Sequence, residues 1–127
     1  MTKRFEKRLG KCYELAAREL TMGAFTSEPT ARLVHGSIEG CGNPRLHHAW
    51  CTYEHEVMGA MAWEPISEKE YPVEVFAHLY GAEAYETYTV TEARGYMVEH
   101  MNWGPWHEGA EREGVKTGTK IKGLVPR

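Results

Sequence analysis

The sequence predicts a single α+β domain, with a Cys-bearing N-terminal helix packed on a small antiparallel sheet. Three observations predict it. Residues 12–22 (CYELAARELTM) are strong helix formers with Cys12, Leu15, Ala16, Glu19 and Leu20 at helical spacing. Two aromatic and apolar runs, Leu46–Tyr53 and Val57–Trp63, flank the short polar stretch Glu54-His55-Glu56, which is the pattern of a β-hairpin. Thr89 and Glu92 have capping-box spacing and open a second amphipathic helix running to about Met101, with Val90, Ala93, Met97 and Met101 on one face.

In chain order, the first helix either opens after Gly10, which puts Cys12 in its first turn, or runs unbroken from Phe5; Gly23 closes it. Residues 31–38 (ARLVHGSI) read as a strand, and Glu39-Gly40-Cys41-Gly42-Asn43-Pro44 as a turn cluster. If the hairpin turn centres on Glu56, His48 stands directly opposite Glu64, and Pro65 ends the second strand. Pro72 suits the first turn of a helix through Tyr80, which Gly81 stops. Residues 82–88 (AEAYETY) form a weaker strand, and Asn102-Trp103-Gly104-Pro105-Trp106 terminates the last helix. The order is helix, strand, hairpin, helix, strand, helix.

Composition narrows the function classes. With 127 residues the prior is one domain, and 15 Lys plus Arg against 18 Asp plus Glu give a net charge of -3. That balance argues against a general nucleic-acid binder, although Lys3, Arg4, Lys7, Arg8 and Lys11 form a local basic cluster. No run approaches the ~18 consecutive apolar residues of a membrane span, and no apolar segment follows the basic N-terminus as a secretory signal would require. Three cysteines without a signal imply reduced thiols and a cytoplasmic location. Residues 1–108 are read as the working domain and 109–127 as a solvated tail, whose last residues, 123–127, look like the remnant of a cleavable tag.

The chemistry starts from the thiol. A cysteine becomes nucleophilic when a helix N-terminus and a neighbouring histidine favour its thiolate, and the histidine needs a third group to hold one tautomer. Cys12, His48 and Glu64 supply those three types, and N–H groups at the start of the helix offer part of an oxyanion hole. Glycine-rich phosphate loops and the HExxH and GxSxG elements are all missing from the sequence, and the motifs call for no cofactor.

Lys11-Cys12-Tyr13-Glu14-Leu15-Ala16, Leu33-Val34-His35-Gly36, His48-Ala49-Trp50 and Trp63-Glu64-Pro65 together resemble the small papain-like or transglutaminase-like cysteine hydrolases. The resemblance covers roughly residues 10–65. It implies a compact papain-like topology and hydrolysis or acyl transfer at amide and thioester bonds, with Cys12 as nucleophile, His48 as general base and Glu64 as orienting residue. Two departures stand out: no Gln shortly precedes Cys12, and Glu64 stands in place of Asp or Asn. Tyr88-Thr89, Glu92-Ala93 and Asn102–Trp106 are also similar to uncharacterised bacteriophage proteins that share the His-Ala-Trp element. This implies a host-cytoplasm setting and an alternative function, a catalytically inert modulator that binds a host protein.

A third reading is a small structural zinc domain built from Cys41, His47 or His48, Cys51 and His55. No CxxC pair supports it, and His48 and Cys51 have opposite strand parity. The substrate, whether a small molecule or a protein amide, is expected to meet the aromatic supply: Trp50, Trp63, Trp103 and Trp106, with His35 beside them. For Trp103 and Trp106 burial as a lid over the core is the preferred reading, and for His35 a structural histidine satisfied within the fold.

Overall fold

A computed structural model describes residues 11–39 and 45–106. The turn cluster at 40–44, the N-terminal basic residues up to position 8 and the tail from 109 lie outside the described residues.

Helix α1 spans Cys12–Met22 and buries Cys12, Ala16, Ala17, Leu20 and Thr21. Their four- and five-residue spacing keeps one stripe against the sheet, and the small Ala16 and Ala17 let the helix approach it closely. Glu14 and Arg18 pair at 3.1 Å on the exposed side. Five strands follow: β1 (Arg32–Ile38), β2 (Leu46–His55), β3 (Gly59–Glu64), β4 (Lys69–Pro72) and β5 (Glu83–Tyr88). Helix α2 (Val73–Tyr80) lies between β4 and β5, and α3 (Val90–His100) follows β5. The strands form one antiparallel sheet in the order β4-β3-β2-β1-β5. The fold is α+β, with the N-terminal helix on an antiparallel sheet. Among the described residues no helix is long and apolar enough to cross a membrane.

Strand alternation sorts the core into two layers. On one face Leu33, Ala49, Cys51, Trp63 and Tyr88 pack against Ala16, Ala17 and Leu20 of α1 and Ala93 and Met97 of α3, with Trp103 and Trp106 closing that layer. On the other face Val34, Trp50 and Ala62 pack against Phe76 of α2, with Tyr71, Val73 and Tyr80 at the margin.

Local chemistry sets the element ends. Thr89 and Glu92 form both halves of the expected capping box, Gly81 takes the left-handed conformation that ends α2, and α3 stops at His100 with Met101 in a left-handed cap. Two expectations need correction. Strand β4 was not anticipated, because four residues ending in Pro72 carry too little alternation to be seen in sequence. The hairpin is also displaced by two positions: Cys51 faces Trp63 and His55 faces Gly59, so the turn centres on Val57. The cause is local. The N–H groups of Val57 and Met58 both donate to His55 Nδ1 at 3.1 Å, and the chain leaves the turn through Gly59 at φ 76, a conformation that favours glycine. A two-residue slip preserves side-chain parity, so every residue keeps its expected face.

Gly36 is required by packing. A Cβ there would overlap the Glu83 carbonyl oxygen and lie 2.7 Å from the Trp50 ring. Gly36→Ala is expected to destabilise the domain by about 2 kcal/mol, the range of overpacked cores, as measured by urea unfolding. Thr89→Ala, which loses the α3 cap, should cost about 1 kcal/mol in the same assay.

Candidate active site

The carboxylate of Glu64 is fixed by the turn that follows it. Pro65 ends β3, and the chain folds back so that the Ile66 and Ser67 N–H groups donate to Glu64 at 2.9–3.0 Å, while the Glu68 N–H closes onto the Glu64 carbonyl at 2.8 Å. One side chain thus serves as the template of the β3–β4 turn. Its Oε2 also accepts from His48 Nε2 at 3.0 Å. Both residues are buried, at 4 % exposure for Glu64 and 7 % for His48.

His48 shares strand parity with Trp50 and so belongs to the α2 face, whereas Cys12 arrives on α1 from the opposite face. They meet because β2 runs past the end of β3: the β2–β3 pairing covers residues 51–55 of β2, leaving His48 beyond it in a notch open to both layers. There His48 hydrogen-bonds the Cys12 side chain as well as Glu64. Burial pulls its pKa down, but the hydrogen bonds to Cys12 and Glu64, with the charges of both, outweigh that and raise it from 6.5 to about 9. For Glu64, burial acts upward, yet the hydrogen bonds from His48 and Ile66, the His48 charge and the Ser67 N–H bring the carboxyl below its ordinary value. Trp50 stacks beside the imidazole with centroids 6.2 Å apart and is backed by Phe76 at 5.2 Å.

Cys12 is the first residue of α1 and is 9 % exposed. Its N-cap, Lys11, makes no side-chain cap. The first intrahelical bond runs from the Leu15 N–H to the Lys11 carbonyl, which leaves the N–H groups of Cys12, Tyr13 and Glu14 outside the helical ladder. These are donors at the positive end of a helix, beside a thiol.

The structure therefore brings Cys12, His48 and Glu64 together as the sequence pattern implied, although the direct opposition expected for His48 and Glu64 is replaced by a diagonal contact. The five residues weighed as cleft lining lie in the interior. His35, Trp50, Trp63, Trp103 and Trp106 are all buried. His35 lies against the rings of Tyr13, Tyr88 and Trp106 at 4.8–5.0 Å. Trp63 packs against Phe25 at 6.0 Å, and Arg18 covers Trp103 at 5.1 Å. Each of these four is core on the α1 face, where it removes more apolar area from water than it would as a cleft wall. Trp50 also borders a groove of about 530 Å³ on the α2 face, between Val34, Phe76 and Thr52.

Cys51 is buried against α1, with its thiol donating to the Ala16 carbonyl at 3.2 Å, and burial pushes its pKa well above the ordinary range. It is a packing residue. Among the described residues no group of three His, Cys, Asp or Glu side chains is gathered to hold a metal; Cys41, one of the four residues of the zinc reading, lies outside them. Sequence reasoning missed the Ile66 and Ser67 N–H groups. The signal was the Glu-Pro-x-Ser run after the hairpin, which is a turn with its own acceptor.

The folded domain thus carries a buried Cys-His-Glu constellation at a helix N-terminus. Compared with known families, with curated proteins and with solved structures, the chain matches none.

The two shifted groups make stability depend on pH with a definite sign. His48, raised on folding, contributes fully below 6.5, and that contribution is lost as pH rises through about 9. Glu64, lowered on folding, contributes fully above 4.5, and its share is lost as pH falls through its folded value. Urea unfolding across pH should therefore show the largest contribution of the pair between 4.5 and 6.5. In Glu64→Gln the decline towards pH 9 should be shallower and stability near pH 6 lower by about 2 kcal/mol, the loss of a charge-assisted hydrogen bond. A pH profile identical to that of the parent would refute the assignment.

Proposed function

We propose that the protein is a thiol-dependent hydrolase or acyltransferase acting on an amide-type bond, on a scaffold similar to the papain-like cysteine hydrolases. The observation that carries this reading is the placement of the His48 ring between the Cys12 thiol and the buried Glu64 carboxylate. Nε2 is committed to Glu64, so Nδ1 is the nitrogen that serves the thiol. A histidine with a raised pKa facing a cysteine favours the thiolate–imidazolium pair.

The steps balance as follows. The Cys12 thiolate attacks the carbonyl carbon, forming a C–S bond and an oxyanion that the N–H groups of Cys12 and Tyr13 stabilise. The His48 imidazolium donates its proton to the leaving amine as the C–N bond breaks, giving a thioester. Water in hydrolysis, or an acceptor amine in transfer, then attacks with neutral His48 as base. The C–S bond breaks, the acid or new amide leaves, and the thiol is restored. Glu64 holds the ring and its charge throughout.

A second reading is favoured by one observation, the burial of all three residues, with Cys12 at 9 % exposure. In that reading the constellation is structural, and the protein is a non-catalytic binder of a host protein. Thiol reactivity separates the two. Mass spectrometry should show Cys12 alkylated in the folded protein, well ahead of the buried Cys51. His48→Ala should slow the reaction by about 100-fold, the lower range of general-base contributions, and Cys12→Ala should abolish it. A Cys12 that reacts only on unfolding refutes the enzyme reading and leaves the binding one.

A further inference from the structure

The two faces of the sheet are covered unequally. Helices α1 and α3 pack on one. On the other stands only α2, eight residues and about 12 Å long, against ten residues and about 33 Å for β2. The part of this face that α2 leaves uncovered opens into the groove of about 530 Å³ that Trp50 borders. Val34, Trp50 and Phe76 form its apolar floor, and the small side chains of Ala77 and Ala82 leave the space beside them. Strand β5 widens it through a break in register. β5 pairs with β1 as His35 opposite Glu86 and then Gly36 opposite Ala84, so Tyr85 is the extra residue of a β-bulge. Thr87 stands opposite Val34, and the bulge brings Ala84, of opposite parity, to the same face; both line the groove. Its volume suits a small molecule, and its lining includes neither Cys12 nor His48.

Two opposite charges mark the end of the groove beyond Trp50. Arg32 on β1 and Glu54 on β2 share the face of Val34 and Trp50 by strand parity, and both line the groove. Arg32 stands opposite Thr52, so Glu54 is its diagonal neighbour, about 7 Å away at Cβ. They are not paired with each other, and neither has an ion-pair partner among the described residues. Arg32 Nη1 donates to the Pro29 and Ala31 carbonyls at 3.0 and 2.8 Å, which holds the guanidinium and leaves Nε and Nη2 as unused donors. Thr30 Oγ1 accepts from the Glu54 N–H at 2.9 Å and ties the same loop to the end of β2. Arg32 is half-buried, with Glu54 exposed beside it.

We infer that this groove binds a free α-amino acid with a large apolar side chain. Arg32 takes the carboxylate, Glu54 takes the ammonium, and the side chain lies along Trp50 and Phe76 between the alanines. The charges select that class. A simple carboxylic acid would meet Glu54 as a like charge, an amine would meet Arg32, and an internal peptide segment brings no charge to either. An α-amino acid carries both charges on one carbon, so a single ligand bridges two side chains that do not pair. A guanidinium already held by the loop needs little further ordering to bind.

The test is calorimetric titration of the parent protein with L-phenylalanine, phenylpropionate, phenethylamine and glycine. Phenylalanine should bind. The other three lack the ammonium, the carboxylate and the ring in turn, and each should bind more weakly by about tenfold or more. Arg32→Gln should weaken phenylalanine by about tenfold and leave phenethylamine no weaker. Glu54→Gln should weaken phenylalanine likewise and leave phenylpropionate no weaker. In an NMR titration the methyl resonances of Val34, Ala77 and Ala84 should shift. No binding of phenylalanine at any concentration at which it dissolves, or shifts confined to residues around Cys12, overturns the site, and neither result needs a variant to fold. Phenylpropionate or phenethylamine binding as tightly as phenylalanine overturns recognition by the two charges.

Discussion

The Glu64 carboxylate is the constraint on which the rest of the site depends. It accepts from His48 and from the Ile66 and Ser67 N–H groups. A buried carboxylate is costly unless its lone pairs are met, and here backbone donors meet them in a geometry set by the turn itself. The same charge fixes the ring of His48 and closes the path from β3 to β4. A change at Glu64 therefore reaches loop geometry and histidine protonation together, which couples the architecture of the sheet to the chemistry of its notch.

The site also depends on strands of unequal length. A continuous sheet would separate His48 from Cys12, since they belong to opposite layers. The early end of β3 removes the barrier at one position, and an α1 that begins at Cys12 delivers its first side chain there. Neither layer contains the whole constellation. Its rigidity is that of two cores, one built around Leu20 and Leu33 and the other around Trp50 and Phe76.

Much of this was legible in the sequence, for identifiable reasons. The α3 cap is local chemistry between Thr89 and Glu92, and α1 is a strong periodic pattern, so both could be read without tertiary information. The grouping of Cys12, His48 and Glu64 survived a wrong hairpin register because a two-residue slip keeps parity. What sequence could not reveal is non-local. The turn centre depended on the His55 imidazole acting as an acceptor, and the bulge at Tyr85 depends on how β5 meets Gly36 under the Trp50 ring. The tryptophans stood open in the sequence between cleft lining and core lid because residue type does not distinguish an exposed ring from a buried one. Burial is decided by what the neighbouring elements cover.

Strand β5 loses register against β1 between His35 and Gly36, where Tyr85 is the extra residue of a β-bulge, and this has a consequence at the margin of the sheet. Strand β5 is an edge, and an edge exposes a row of backbone donors and acceptors to any passing strand. An interrupted ladder offers a poor template for such pairing, and Glu83 and Glu86 on the same strand would set like charges against a second copy. At the opposite edge β4 has four residues and ends in Pro72, which has no N–H to offer. Both margins are thus poor partners for another strand, and the sheet resists growth from one molecule to the next.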